Sequence, residues 1–142
     1  MKALRQAACV LLAAASLCAS PAYATSFSTD QSDLWWIPAE SGWGMQLVQR
    51  GATIFATIFV YGPTEAPTWY TATLNPTAIS LTWTGTLYAT TGPWFGTVPF
   101  DPASVTLTPV GTMTWNESYV DLGTVSYTVN GVPVTKTWYA NS

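Results

Sequence analysis

Beyond residue 42, hydrophobic and polar positions alternate with period two along nearly the whole chain. Trp43, Met45 and Leu47 fall on one face with Gln46 opposite, the pattern of a half-buried strand. Arg50-Gly51 breaks it. From Thr53 to Tyr61 both faces are apolar, with Ile54, Ala56, Ile58 and Val60 on one and Phe55, Phe59 and Tyr61 on the other. Such a strand is central in its sheet or covered by a partner. Gly62-Pro63 and Pro67 bracket a loop, and Thr68 to Leu74 resumes as a strand. Ile79 to Thr90 alternates most cleanly: Ile79, Leu81, Trp83, Gly85, Leu87 and Ala89 face one way, Ser80, Thr82, Thr84, Thr86 and Thr90 the other. The Pro- and Gly-rich stretch from Thr91 to Ala103 predicts a long loop, yet it carries Trp94, Phe95 and Phe100.

Val105, Leu107, Met113 and Trp115 share one phase and predict a further strand, which Pro109 makes an edge or a bulged one. A turn is expected from Asn116 to Leu122. Val125, Tyr127 and Val129 then lead into Asn130-Gly131, the dipeptide favoured in a type I′ hairpin. Val132, Val134 and Trp138 return on the same face. A two-residue loop pairs Gly123 with Trp138, so the Trp138 indole is expected to cover the bare glycine. The pattern yields about seven strands and no helix. It predicts an all-β antiparallel meander, a small up-and-down barrel of seven or eight strands, with a two-sheet sandwich as the alternative. A closed barrel hides its edges and holds one small ligand at its mouth.

The first 24 residues break the pattern and read as an address. Lys2 and Arg5 precede an apolar run, Ala7 to Leu17, too short to span a membrane, and Ala22-Tyr23-Ala24 is a small-x-small cleavage site. Leu17 before Cys18 argues against a lipoprotein signal. The expected mature chain is residues 25–142, one domain, secreted or periplasmic, with no membrane segment of its own. Cys9 and Cys18 leave with the signal, and the chain has no histidine, so disulfide and thiol chemistry are excluded. In the expected mature chain two cations, Arg50 and Lys136, face seven acids, a net charge of −5 against −3 for the full sequence. That balance disfavours nucleic acid and anionic lipid as partners.

One run stands apart: Asp33-Leu34-Trp35-Trp36-Ile37-Pro38-Ala39-Glu40-Ser41-Gly42-Trp43-Gly44. It resembles a signature of a secreted bacterial β-domain family that usually reads Leu-Trp-Trp-Asn-Pro-Ala-Glu-Ser-Gly-Trp-Gly. The similarity continues through Phe59-Val60-Tyr61, Thr68-Trp69-Tyr70, Gly92-Pro93-Trp94-Phe95-Gly96 and Asn130-Gly131. Ile37 departs from the family's Asn, so a cap or ligand contact made by that Asn would be lost. The resemblance implies an exported bacterial module with no known catalytic residues. A thinner likeness, in architecture and Trp content alone, is to avidin-like barrels.

Candidate chemistry is sparse. Glu40-Ser41 would need a base to activate the serine, and only Lys136 is available; turn-fixing hydrogen bonds are the simpler role. Asp33 and Glu40 are the best carboxylate pair for glycoside hydrolysis, with Asp101 and Asp121 also on loops, but ordinary solvated acids fit as well. No metal or cofactor is expected, because carboxylates alone favour calcium and no calcium-loop spacing is present. The Thr-x-Thr runs lack the period of an ordered hydroxyl array.

The aromatic set remains. Trp is most often core, but Trp35, Trp36, Trp43, Trp69, Tyr70 and Trp94 cluster near turns, where they would form a platform for a sugar ring or another flat ligand, with Glu40 and Gln46 as polar fixers. The leading expectation is a non-catalytic binding module for a carbohydrate or small apolar ligand. The alternatives are a structural or interaction protein, forming homo-oligomers or docking to another domain through strand 53–61 and the 91–100 loop, and a small carboxylate hydrolase.

Overall fold

A computed structural model describes residues 30–141; the expected signal segment, both cysteines and the cleavage site lie outside the described residues. Eight strands form one closed antiparallel barrel in simple meander order. They are β1 (Asp33–Trp36), β2 (Gly44–Arg50), β3 (Thr53–Tyr61), β4 (Pro67–Pro76), β5 (Thr82–Thr91), β6 (Thr106–Tyr119), β7 (Leu122–Val129) and β8 (Val132–Ala140). The sandwich alternative is thereby excluded. Period two fills the barrel: Met45, Leu47, Ile54, Ala56, Ile58, Ala72, Leu74, Leu87, Met113 and Val125 point inward and are buried, while Phe55 and Phe59 stand on the outer face, about half exposed. Strand β3 thus has neighbours on both edges, β2 and β4, and, among the described residues, no layer over its outer face.

Several local expectations change. The Trp-rich run itself supplies β1, which pairs with β2 and, through Trp35↔Ala140 and Trp36↔Tyr139 alone, with β8. The strand expected from Ile79 starts at Thr82, because Leu81 takes a left-handed backbone, φ 55°. The expected turn from Asn116 is short: β6 runs on to Tyr119, with the Asn116 side-chain amide donating to Thr82 Oγ1 at 2.7 Å. Asn130 and Gly131 both have positive φ, 48° and 82°, as a type I′ turn requires.

Two further corrections concern packing. The shared phase of Val105, Leu107, Met113 and Trp115 fails, because a register shift opposite Leu87/Tyr88 pairs Leu87 with Gly111 and Tyr88 with Pro109. The extra residue, Val110, reverses the phase, so Met113 and Trp115 are buried and Leu107 is on the outside. Gly123 does pair with Trp138, but the ring that occupies the space a Cβ would need is that of Trp115.

The barrel is closed at one end. Before β1 the chain folds inward, and the Gln31 side-chain oxygen accepts from Trp115 Nε1 at 2.9 Å. The Gln31 carbonyl accepts from Trp35 Nε1 at 3.1 Å, and its backbone N–H donates to Gln49 Oε1 at 2.9 Å. Trp83 Nε1 donates to the Ala52 carbonyl. Trp35, Trp83 and Trp115 each bury the ring and still satisfy its one donor, the usual condition for placing Trp in a core.

Candidate functional site

The opposite end is open. There the β3–β4 loop, the β7–β8 hairpin and the 37–43 segment between β1 and β2 surround a cavity of about 610 Å³. Trp43, Tyr70 and Tyr127 supply aromatic walls, Val60, Val129 and Val134 aliphatic ones, and Tyr61, Pro63, Asn130 and Val132 the rim. Strand pairing makes this arrangement. Tyr127 lies opposite Val134, and Tyr70 is two strands from β2, each on the inner face one step above fully buried residues. Burial pushes the Tyr127 phenol above its ordinary value of 10.0, and the neighbouring Tyr70 and Glu40 add to the effect.

The 37–43 segment closes the barrel where hydrogen bonding does not. Because β1 meets β8 at only two residue pairs, most of that edge of β8 has no strand beside it among the described residues. Pro38–Glu40 forms a short 3₁₀ turn, with the Glu40 N–H donating to the Ile37 carbonyl. Ile37 sits at the turn's N-cap, makes no side-chain cap bond and packs against the core. Trp43 packs edge-on against Trp138, ring centroids 4.8 Å apart. The Tyr61 hydroxyl donates to the Gly42 carbonyl at 3.1 Å. Lys136 donates to both Glu40 carboxylate oxygens, at 2.5 and 2.7 Å. Its amine also lies 5.4 Å from the centroid of the Trp43 ring, within cation–π reach. Among the described residues, no hydrogen-bond partner meets the buried Trp138 Nε1.

Comparison with family models, with curated proteins and with solved structures finds no match for this chain. Function therefore rests on the geometry of the barrel itself.

The eight residues picked out from the sequence scatter. Trp43 and Tyr70 line the cavity, and Glu40 stands beside it through Lys136 and Trp43. Trp35 is a core residue at 1% exposure, packed against Trp115. Trp36 and Gln46 have the opposite parity to buried Trp35 and Met45 and face outward. Trp69 lies outside on β4, its Nε1 donating to Thr90 Oγ1. Trp94, at 69% exposure, packs on Phe95 in the β5–β6 loop and takes no part in the cavity wall.

A platform combining all five tryptophans is thus not formed. A strand has two faces, and adjacent Trp such as Trp35 and Trp36 must point opposite ways. The carboxylates scatter as well: Asp33 begins β1 at the closed end, where its side chain accepts from the Leu34 N–H, and Glu40 lies at the mouth. Missed in the sequence were Tyr127 and Lys136. Both stand in phase with Val125 and Trp138 on inward faces, so the parity of β7 and β8 already carried the signal.

Proposed function

We propose that this chain is an exported, non-catalytic binding protein whose barrel mouth takes a small, flat, largely apolar molecule. One observation carries it: an aromatic-walled cavity opens at one end of a barrel whose other end is sealed by the Gln31–Trp115–Trp35 network. Ligand sites of this kind combine apolar walls with a few oriented polar groups, and here those groups are Tyr70, Tyr127 and Asn130, with the Glu40–Lys136 pair next to the wall residue Trp43. A carbohydrate would need more. Each sugar hydroxyl taken from water requires a partner, and four valines and a proline line this space. The apolar ligand class is favoured over the sugar on that ground. Export is part of the proposal and is supported by the signal pattern in residues 1–24 and by the family resemblance.

Val134→Trp tests it by placing an indole in the cavity. The expected result is a folded barrel that no longer retains the small mass carried by wild-type residues 25–142 in native mass spectrometry. Wild-type protein that carries no mass and binds nothing from a library of small aromatic compounds would overturn the proposal.

A second reading has its own observation. Phe59, Trp69 and Leu107 lie in one row across the outer face of β3 to β6, since Phe59 pairs with Trp69 and Thr90 with Leu107, and all three are about half exposed or more. An apolar row of this kind suits association. Sedimentation of wild type against Trp69→Lys tests it: a dimer that dissociates in the variant supports an assembly role, and a monomer in both removes it.

A further inference from the structure

A charged pair stands beside the cavity, joined to its wall through Trp43. The chain already holds a cation next to one wall residue, for the Lys136 amine lies against Trp43 and on both oxygens of Glu40. Three aromatic side chains, Trp43, Tyr70 and Tyr127, converge on the same space. Aromatic faces attract cations through their quadrupoles, most strongly when the cation is shielded from water. The charges around this end agree. Among the described residues, Glu40, Glu65 on the β3–β4 loop and Asp101 on the β5–β6 loop stand against Lys136 alone, while Arg50 lies at the far end of β2. A net negative mouth draws cations in and turns anions away.

We propose, resting on the cavity reading above, that the ligand is an organic cation, an ammonium or quaternary-ammonium compound with a small apolar body, whose charged group takes the place of the Lys136 amine between Trp43 and Glu40. The apolar body then lies against Val60, Val129 and Val134. Lys136 acts as an internal placeholder: it neutralises Glu40 in the empty barrel and swings out when the ligand enters. Both partners of the pair are partly exposed, 32% for Lys136 and 41% for Glu40, so the exchange requires no unfolding. A ligand anion, by contrast, would have to displace Glu40 and meet the faces of three electron-rich rings.

The experiment is calorimetric titration of residues 25–142 with three probes of one shape: benzyltrimethylammonium, the neutral neopentylbenzene, and benzylsulfonate. The cationic probe is expected to bind about tenfold more tightly than the neutral one, a difference in keeping with a desolvated cation–π contact. Lys136→Met is expected to tighten the cation by a similar factor, since the competing amine is gone. Glu40→Gln is expected to weaken it by as much, with far-UV circular dichroism of both unliganded variants showing that the barrel is intact. Equal binding of cationic and neutral probes overturns the charge assignment and leaves the apolar cavity standing. Tightest binding of the sulfonate, lost in Lys136→Met, overturns it in favour of an anion site. Failure of all three probes overturns the charge assignment and the cavity reading together.

Discussion

Tyr127 lies on the inner face of β7 between buried Val125 and half-buried Val129, and its ring is at once core and cavity wall. Its phenol is held above the ordinary 10.0 by burial first, then by Tyr70 and Glu40. The sign of the pH dependence follows. The folded chain keeps this proton to higher pH than the unfolded chain, so the linked stability is complete below about pH 10 and is lost as pH rises through the folded-state value. Denaturant midpoints measured between pH 9 and 11.5 should therefore fall more steeply for wild type than for Tyr127→Phe; equal slopes would show that the phenol is not desolvated. Single residues also mark where sequence reasoning stops. Gly123 and Trp138 are register partners as expected, yet Trp115 fills the gap at Gly123. Register is a property of two strands, whereas the direction of an indole depends on every neighbour in the barrel.

At the scale of elements, the two ends of the barrel are built differently. The closed end depends on a stretch that is not a strand at all: Gln31, buried, satisfies Trp115 and Trp35. Gln31→Ala should destabilise the fold by about 1–3 kcal/mol, the cost of leaving a buried indole N–H without a partner, as read by urea unfolding. A loss near zero would mean that water replaces the amide and that the end is open. The mouth end depends on the 37–43 segment, which spans the short β1–β8 seam by means of Glu40, Trp43 and the 3₁₀ turn. The resemblance singled out this same run as a signature, and its structural use is now visible: alternate residues of one motif give a core Trp, an outer Trp, a tight turn and a cavity wall. Alternation alone marked Trp43 as inward. The turn at Pro38 and the seam it covers depend on how far β8 extends beyond β1.

For the whole molecule, the aromatic residues divide into three populations that one composition figure merges. Trp35, Trp83, Trp115 and Trp138 are fully buried; Trp43, Tyr70 and Tyr127 border the cavity; Trp69, Trp94, Phe95 and Phe100 face solvent. Trp35→Ala should cost about 3–5 kcal/mol, as large-to-small changes at buried aromatics do, a large share of the roughly 5–15 kcal/mol that holds a domain together. Trp94→Ala should change stability by no more than about 0.5 kcal/mol. Thermal unfolding of the two variants side by side checks this division, and a marked loss for Trp94→Ala would show that the β5–β6 loop packs on the barrel in solution.

Local pattern was enough to establish the strand-rich character, the meander, the inward set of β2, β3 and β7, the Asn130-Gly131 hairpin and the acidic balance. Each of these follows from local alternation, turn chemistry or a sum of charges, quantities that need no knowledge of distant residues. Long-range packing settled that β1 is a strand, that the barrel closes at eight, that Val110 reverses the phase of β6, and that Lys136 meets Glu40 and Trp43. Those outcomes depend on which edges meet when the sheet closes on itself. Closure couples Trp35 to Ala140 and Glu40 to Lys136 across nearly the whole described chain, and no period along the sequence records a contact between its two ends.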